Sequence, residues 1–213
     1  MNERLLPGDR ETALLICAVV FNSVIYNGGR FLARGSMHLR FGTLVDDAIP
    51  FLPWTVLIYW GCYLFWIINY VLGIKGGVSG KNRFIAAHFI GESICFLAFV
   101  FLPTTMRRPE ISGNTFCESI VRITYQNDSA DNLLPSIHCF VSWLCWIGVR
   151  GNPSVPRWYR TVSLLLAAAV CISTLTVKQH VIADVFTGVL LAEFSYFFAG
   201  VLYKDKRTAA IIR

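Results

Sequence analysis

Residues 48–74 read AIPFLPWTVLIYWGCYLFWIINYVLGI, a stretch without a single Asp, Glu, Lys or Arg. A helix needs ~20 predominantly apolar residues to cross the hydrocarbon of a bilayer, and this stretch exceeds that. Working outward, the same feature recurs on both sides. Residues 12–29 carry no charge, and 84–106 are interrupted only by Glu92. Residues 132–149 and 161–177 are again free of charge, and 181–203 contain only Asp184 and Glu193. These six stretches predict an all-α fold, a polytopic membrane bundle of six transmembrane helices. Polar segments containing the Gly, Pro, Asn and Ser typical of turns join them. No internal repeat, low-complexity tract or long linker is visible, so residues 1–213 read as one integral membrane domain.

Composition supports this. The chain is 55% hydrophobic and 15% charged, with a mean hydropathy of +0.55, whereas a soluble domain is about 25% charged. An aromatic content of 14% excludes disorder. The net charge of +6 does not make a nucleic-acid module, because the basic residues fall in short interruptions between apolar runs. Of the seven cysteines, all but Cys117 lie inside apolar runs, where they read as small helix-packing residues and not as metal ligands or a disulfide framework.

The first run is expected to remain as a helix. Glu3, Asp9 and Glu11 precede it and no small-x-small cleavage site follows, unlike a secretory signal. Orientation follows from the basic residues. With a cytoplasmic N-terminus, twelve Lys and Arg fall inside, including Arg4, Lys204, Lys206, Arg207 and Arg213, against seven outside. Both termini are therefore expected to be cytoplasmic. Residues 30–41 mix Arg with Phe, Leu and Met and read either as an interfacial segment or as a polar loop.

Ionisable groups at membrane depth are expensive and mark function by default. Three polar clusters fall at the outer helix ends in this topology: TTMRRPE at 104–110, DNLLPSIH at 131–138 and STLTVKQHVIAD at 173–184. His180 and Asp184 are four apart and share a face on a helix. A carboxylate on one imidazole nitrogen leaves the other free as nucleophile or base. Gly188, nearly on that face, permits close helix contact. Pro135 suits a first helical turn, and Ser136 reads as an anion-binding hydroxyl at a helix start or as an N-cap. His138 adds an acid/base group. Arg107 and Arg108 either bind phosphate oxygens or snorkel to the interface. A His nucleophile with its Asp, a second His, and a cradle of Ser, Arg and Lys are equipment for metal-free phosphoryl transfer at a bilayer surface. No carboxylate cluster of the kind that holds Mg²⁺ is present, and no cofactor is expected.

These motifs resemble those of the type 2 phosphatidic acid phosphatase superfamily. Its pattern is a Lys, six residues, Arg-Pro; then Pro-Ser-Gly-His; then Ser-Arg, five residues, His, three residues, Asp. Arg108-Pro109, Pro135-Ser136-Ile137-His138, and Ser173, His180 and Asp184 match at those spacings, with Ile137 in place of Gly. The resemblance implies that His180 is the nucleophile, Asp184 its partner and His138 the acid for the leaving group, with Ser136, Ser173 and Arg108 on the phosphate. The first-motif Lys falls at Phe101 and the third-motif Arg at Thr174, so Arg107 and Lys178 stand as substitute cations. The implied substrate is a membrane phospholipid or polyprenyl phosphate, cleaved on the extracytoplasmic face. The missing cations and the Pro-Ser-aliphatic-His motif are also similar to the inositol phosphorylceramide and sphingomyelin synthase branch, which transfers a phospho-headgroup between lipids. A third reading, a transporter or haem-binding bundle using His88, His138 and His180, is disfavoured because His88 lies toward the other end of its span.

Overall fold

The computed structural model describes residues 8–75 and 77–203. Of the residues weighed above, Glu3, Arg4, Lys204, Lys206, Arg207 and Arg213 lie outside them. The described chain is helical, with no β-strand among the described residues. Helix α1 spans Asp9–Leu32, α2 Leu44–Ala48, α3 Val56–Gly73 and α4 Gly77–Phe101. Helix α5 spans Phe116–Asn127, α6 Ile137–Arg150, α7 Arg157–Thr176 and α8 Ile182–Leu202.

Five helical segments are long and apolar enough to cross a membrane: Asp9–Leu32, Pro53–Gly73, Gly80–Phe101, Arg157–Thr176 and Ile182–Leu202. This is the make-up of a multi-pass membrane protein. Their outward faces carry Leu57, Leu64, Ile67, Phe186 and Phe194, all more than half exposed, as expected where the surroundings are lipid. The expected fourth span differs. Ser136 caps α6, its Oγ accepting from the Cys139 N–H at 3.3 Å, so helix begins only at Ile137. The result is 14 residues, about 21 Å at the α-helical rise of ~1.5 Å per residue. Residue 135, expected in the first turn, precedes the cap, and the Leu134–Pro135 peptide is cis.

Helix α6 nevertheless occupies the centre, packed on α3, α4, α7 and α8. Phe140, Leu144 and Ile147 are almost wholly buried there. Two glycines make this possible. A Cβ on Gly91 of α4 would lie 2.1 Å from the Phe140 ring, and one on Gly188 of α8 would lie 2.7 Å from the Ser136 carbonyl oxygen. The remaining boundaries shift for local reasons. The span from 48 enters helix through a 3-10 turn at Pro53–Thr55, since Pro50 and Pro53 have no N–H to donate. Residues 33–43 form no regular helix; Leu39 instead exchanges backbone hydrogen bonds with Pro103 and Thr105, at 2.9 and 2.8 Å. Within the polar segment after α4, Thr115 and Glu118 form a reciprocal capping box that starts α5.

Candidate active site

The chain reverses between α7 and α8 through Lys178, whose φ of 55° lies in the left-handed region. The Thr174 carbonyl closes this turn by accepting from the N–H groups of both Gln179 and His180, at 2.9 and 3.1 Å. His180 therefore sits in the turn before α8, a correction to the expectation of two residues on one helix face. The pair still meets. Asp184 occupies the third position of α8 and reaches back, its Oδ2 lying 3.3 Å from His180 Nδ1 and accepting from the Val181 N–H at 3.0 Å. Both side chains are buried, at 8% and 1% exposure. Burial disfavours the imidazolium, but the Asp184 hydrogen bond and charge outweigh it and hold the His180 pKa above its ordinary value.

His138, in the first turn of α6, faces His180 with 6.2 Å between ring centroids. It is stacked on Tyr59 of α3 at 4.4 Å, and its Nε2 is buried without a partner. The Ser136 N–H donates to the Asp184 carbonyl at 3.1 Å, tying the starts of α6 and α8 together where Gly188 lets them approach. Both histidines line a cavity of about 270 Å³ at one end of the bundle. Its other walls come from the second half of α1, the first half of α3, α5 and the loop before α6.

The anticipated phosphate ligands are distributed differently. Arg108 is half-buried behind the cavity wall. It donates to the Asp128 carbonyl at 2.5 Å and to Gln179 Oε1, and its guanidinium lies 4.6 Å from the Tyr125 ring centroid. Gln179 does line the cavity, and its Nε2 is buried and unpartnered, so Arg108 reaches the site through Gln179. The Ser136 hydroxyl is used as the α6 cap and does not line the cavity. Ser173 is also outside it, donating to the Val170 carbonyl at 2.7 Å. Lys178 points to α2, with its Nζ 2.8 Å from the Asp46 carbonyl, while Asp46 Oδ1 accepts from the Ile182 N–H at 2.7 Å. Lys178 thus fastens α2 against the start of α8. Arg107 is exposed and lines no part of the cavity.

The sequence reading missed Asp128, Gln179 and Tyr59. Asp128 accepts hydroxyl hydrogen bonds from Tyr26 and from Tyr59, the latter at 3.2 Å. Gln179 lay inside a quoted cluster beside His180, which was a usable signal. Asp128 lies in the polar segment between the third and fourth apolar stretches and Tyr59 inside an apolar stretch, where no local pattern singles either out. A second cavity of about 350 Å³ runs between α1 and α3, walled by Leu15, Ala18, Val19, Ile67 and Val71. It shares Asn22, Ser23, Tyr63 and Trp66 with the first. His88 borders this second cavity and is held by the Tyr70 hydroxyl at 2.7 Å and the Ala18 carbonyl at 3.3 Å. Among the described residues, no group of three or more His, Cys, Asp or Glu is placed to hold a metal ion. In comparisons with known proteins, no family model, curated protein or solved structure matches the chain.

Proposed function

We propose that the protein is a metal-independent lipid phosphatase that cleaves a phosphomonoester or diphosphate of a membrane phospholipid or polyprenyl lipid through a phosphohistidine. The observation that carries this reading is the His180–Asp184 pair facing His138 across one buried cavity, at 6.2 Å between the two imidazoles. His180 Nε2 attacks phosphorus while Asp184 holds Nδ1–H and balances the charge that develops on the ring. The phosphorus–oxygen bond to the lipid breaks, its electron pair stays on the lipid oxygen, and His138 supplies the proton. In the second step His138, now neutral, takes a proton from the water that attacks phosphorus, the phosphorus–nitrogen bond breaks with its electron pair returning to His180 Nε2, and phosphate leaves. Gln179, backed by Arg108, donates to the phosphoryl oxygens. The apolar cavity between α1 and α3 suits the hydrocarbon of such a substrate. In this reading six helices cross the bilayer, with α6 as the short central one, both termini are cytoplasmic, and the cavity opens outward.

Asp128 in the cavity wall favours a second reading, transfer of a phospho-headgroup to an acceptor lipid, because a phosphodiester carries less negative charge than a phosphomonoester. Purified protein incubated with a phospholipid panel, with and without an acceptor alcohol, separates the two. Hydrolysis releases inorganic phosphate in the absence of acceptor, whereas transfer gives a new lipid only in its presence. Either activity persists in EDTA and gives an acid-labile phosphoprotein that His180→Ala abolishes. Loss of activity in EDTA with recovery on added Mg²⁺ overturns both.

A further inference from the structure

The cavity that holds the two histidines is poorly matched to a bare phosphate. Among the described residues no Lys or Arg lines it, while Asp128 and Asp131 do. Asp131 is engaged by Arg30 at 3.1 Å. Asp128 is held by the Tyr26 and Tyr59 hydroxyls, and the positive charge nearest to it, the Arg108 guanidinium on its backbone carbonyl, lies behind the wall and not in the cavity. Five aromatic side chains, Tyr26, Tyr59, Trp60, Tyr63 and Trp66, stand in the same wall. The polar edges of four of them are already used. Trp60 Nε1 donates to Thr124 Oγ1 at 2.9 Å and Trp66 Nε1 to Ser142 Oγ at 2.8 Å, and the hydroxyls of Tyr26 and Tyr59 go to Asp128. Tyr59 gives a face to the His138 ring and Tyr26 lies under the Arg30 guanidinium, so what a ligand is offered is the π surface of Trp60, Tyr63 and Trp66.

Aromatic faces beside a carboxylate attract a cation, and a poorly hydrated ammonium most of all. The same cavity also contains donors suited to an anion, the buried and unpartnered Nε2 atoms of Gln179 and His138. We propose that the cavity binds an ammonium-bearing phosphodiester, the headgroup of a zwitterionic phospholipid. Its phosphate lies between Gln179 and the histidines, and its ammonium lies against Asp128 and the Trp and Tyr rings. At about 270 Å³ the space is at the small end for small-molecule sites and suits a headgroup without its chains. The proposal rests on the phosphoryl-transfer reading of His180 and Asp184, takes it in its second form, in which the substrate is a phosphodiester, and names the class of headgroup.

The test uses the full chain purified in detergent, with tryptophan fluorescence reporting binding. Phosphocholine and phosphoethanolamine are compared with glycerol phosphate and inorganic phosphate. The ammonium compounds bind about tenfold or more tighter than glycerol phosphate, the range set by one well-placed cation–ring contact together with a carboxylate. Asp128→Asn removes that preference and favours glycerol phosphate. Trp60→Leu, at a half-exposed position, weakens ammonium binding alone. In vesicles, turnover is faster for phosphatidylcholine or phosphatidylethanolamine than for phosphatidic acid or phosphatidylglycerol, which identifies the source as a lipid headgroup and not a free phosphoester. Equal binding of glycerol phosphate, or preferred turnover of phosphatidic acid with a trapped phosphohistidine, overturns the ammonium site and leaves phosphoryl transfer standing. Ammonium-selective binding without turnover of any lipid does the reverse.

Discussion

His180 and His138 are chemically alike but differently surrounded, and the proposed reaction gives them different tasks. His180 has a carboxylate on Nδ1, whereas His138 rests on Tyr59 and has an unpartnered Nε2. On the natural lipid, whose alkoxide leaves poorly, His138→Ala nearly abolishes turnover. On p-nitrophenyl phosphate, whose leaving group needs little protonation, it keeps a larger fraction of the wild-type rate. His180→Ala is inactive on both, and Asp184→Asn falls between, with a loss approaching the about 10⁴-fold seen when the corresponding carboxylate of a Ser-His-Asp triad is replaced. Steady-state kinetics on the two substrates checks this, and activity of His180→Ala on the aryl ester reverses the assignment. The pH profile gives an independent check. His180 attacks only as neutral imidazole, and its pKa is raised above the ordinary 6.5 because the Asp184 hydrogen bond outweighs burial. The acid limb of kcat/KM therefore lies above 6.5 and moves down in Asp184→Asn.

At the scale of elements, the site depends on the starts of α6 and α8 touching. Gly188→Ala places a methyl 2.7 Å from the Ser136 carbonyl oxygen, a backbone atom that cannot rotate away. Overpacking of this kind costs about 1–3 kcal/mol, seen as a lower melting temperature in detergent. Activity falls further than stability does, because the displaced helix starts carry His138 and Asp184. Much of this was legible in sequence. The His180–Asp184 spacing, the Ser136 helix start and the glycine at 188 lie in short local patterns, and the second and third motifs each put residues in the cavity wall, whereas the first puts none there and reaches the site only through Arg108 behind Gln179. What was not legible depends on partners distant in the chain. Ser136 and Ser173 look like phosphate ligands until the Cys139 N–H and the Val170 carbonyl take their hydroxyls. Lys178 looks like a replacement cation until the fold brings Asp46, far back in the chain, within 2.8 Å of it. Asp128 needs Tyr26 and Tyr59, from two other helices, before it stops looking like a loop residue.

At the scale of the molecule, the proposed orientation puts the cavity outside the cell. Met37, in the loop after α1, is 85% exposed and follows the helix end that walls the cavity. Met37→Cys therefore labels with an impermeant maleimide in intact cells, above the level of the parent protein. Labelling only after permeabilisation inverts the orientation. The central helix carries a further consequence. At 14 residues, α6 extends about 21 Å by its helical rise, against ~30 Å of hydrocarbon, and the irregular chain before it is packed in protein and lines the cavity, the settings in which non-helical backbone is stable at membrane depth. In the proposed six-span reading, the histidine at its start lies below the plane of the surrounding headgroups. A substrate has to lower its phosphate into this well while its chains stay among their neighbours, and the depth of the well is set by the host membrane. In proteoliposomes of short-, medium- and long-chain lipids with one headgroup, turnover of a common tracer substrate falls as the acyl chains lengthen, while turnover of soluble p-nitrophenyl phosphate stays flat. Hydrophobic mismatch thereby becomes a control on catalysis, and the same sequence works at different rates in membranes that differ only in how far apart their two surfaces lie.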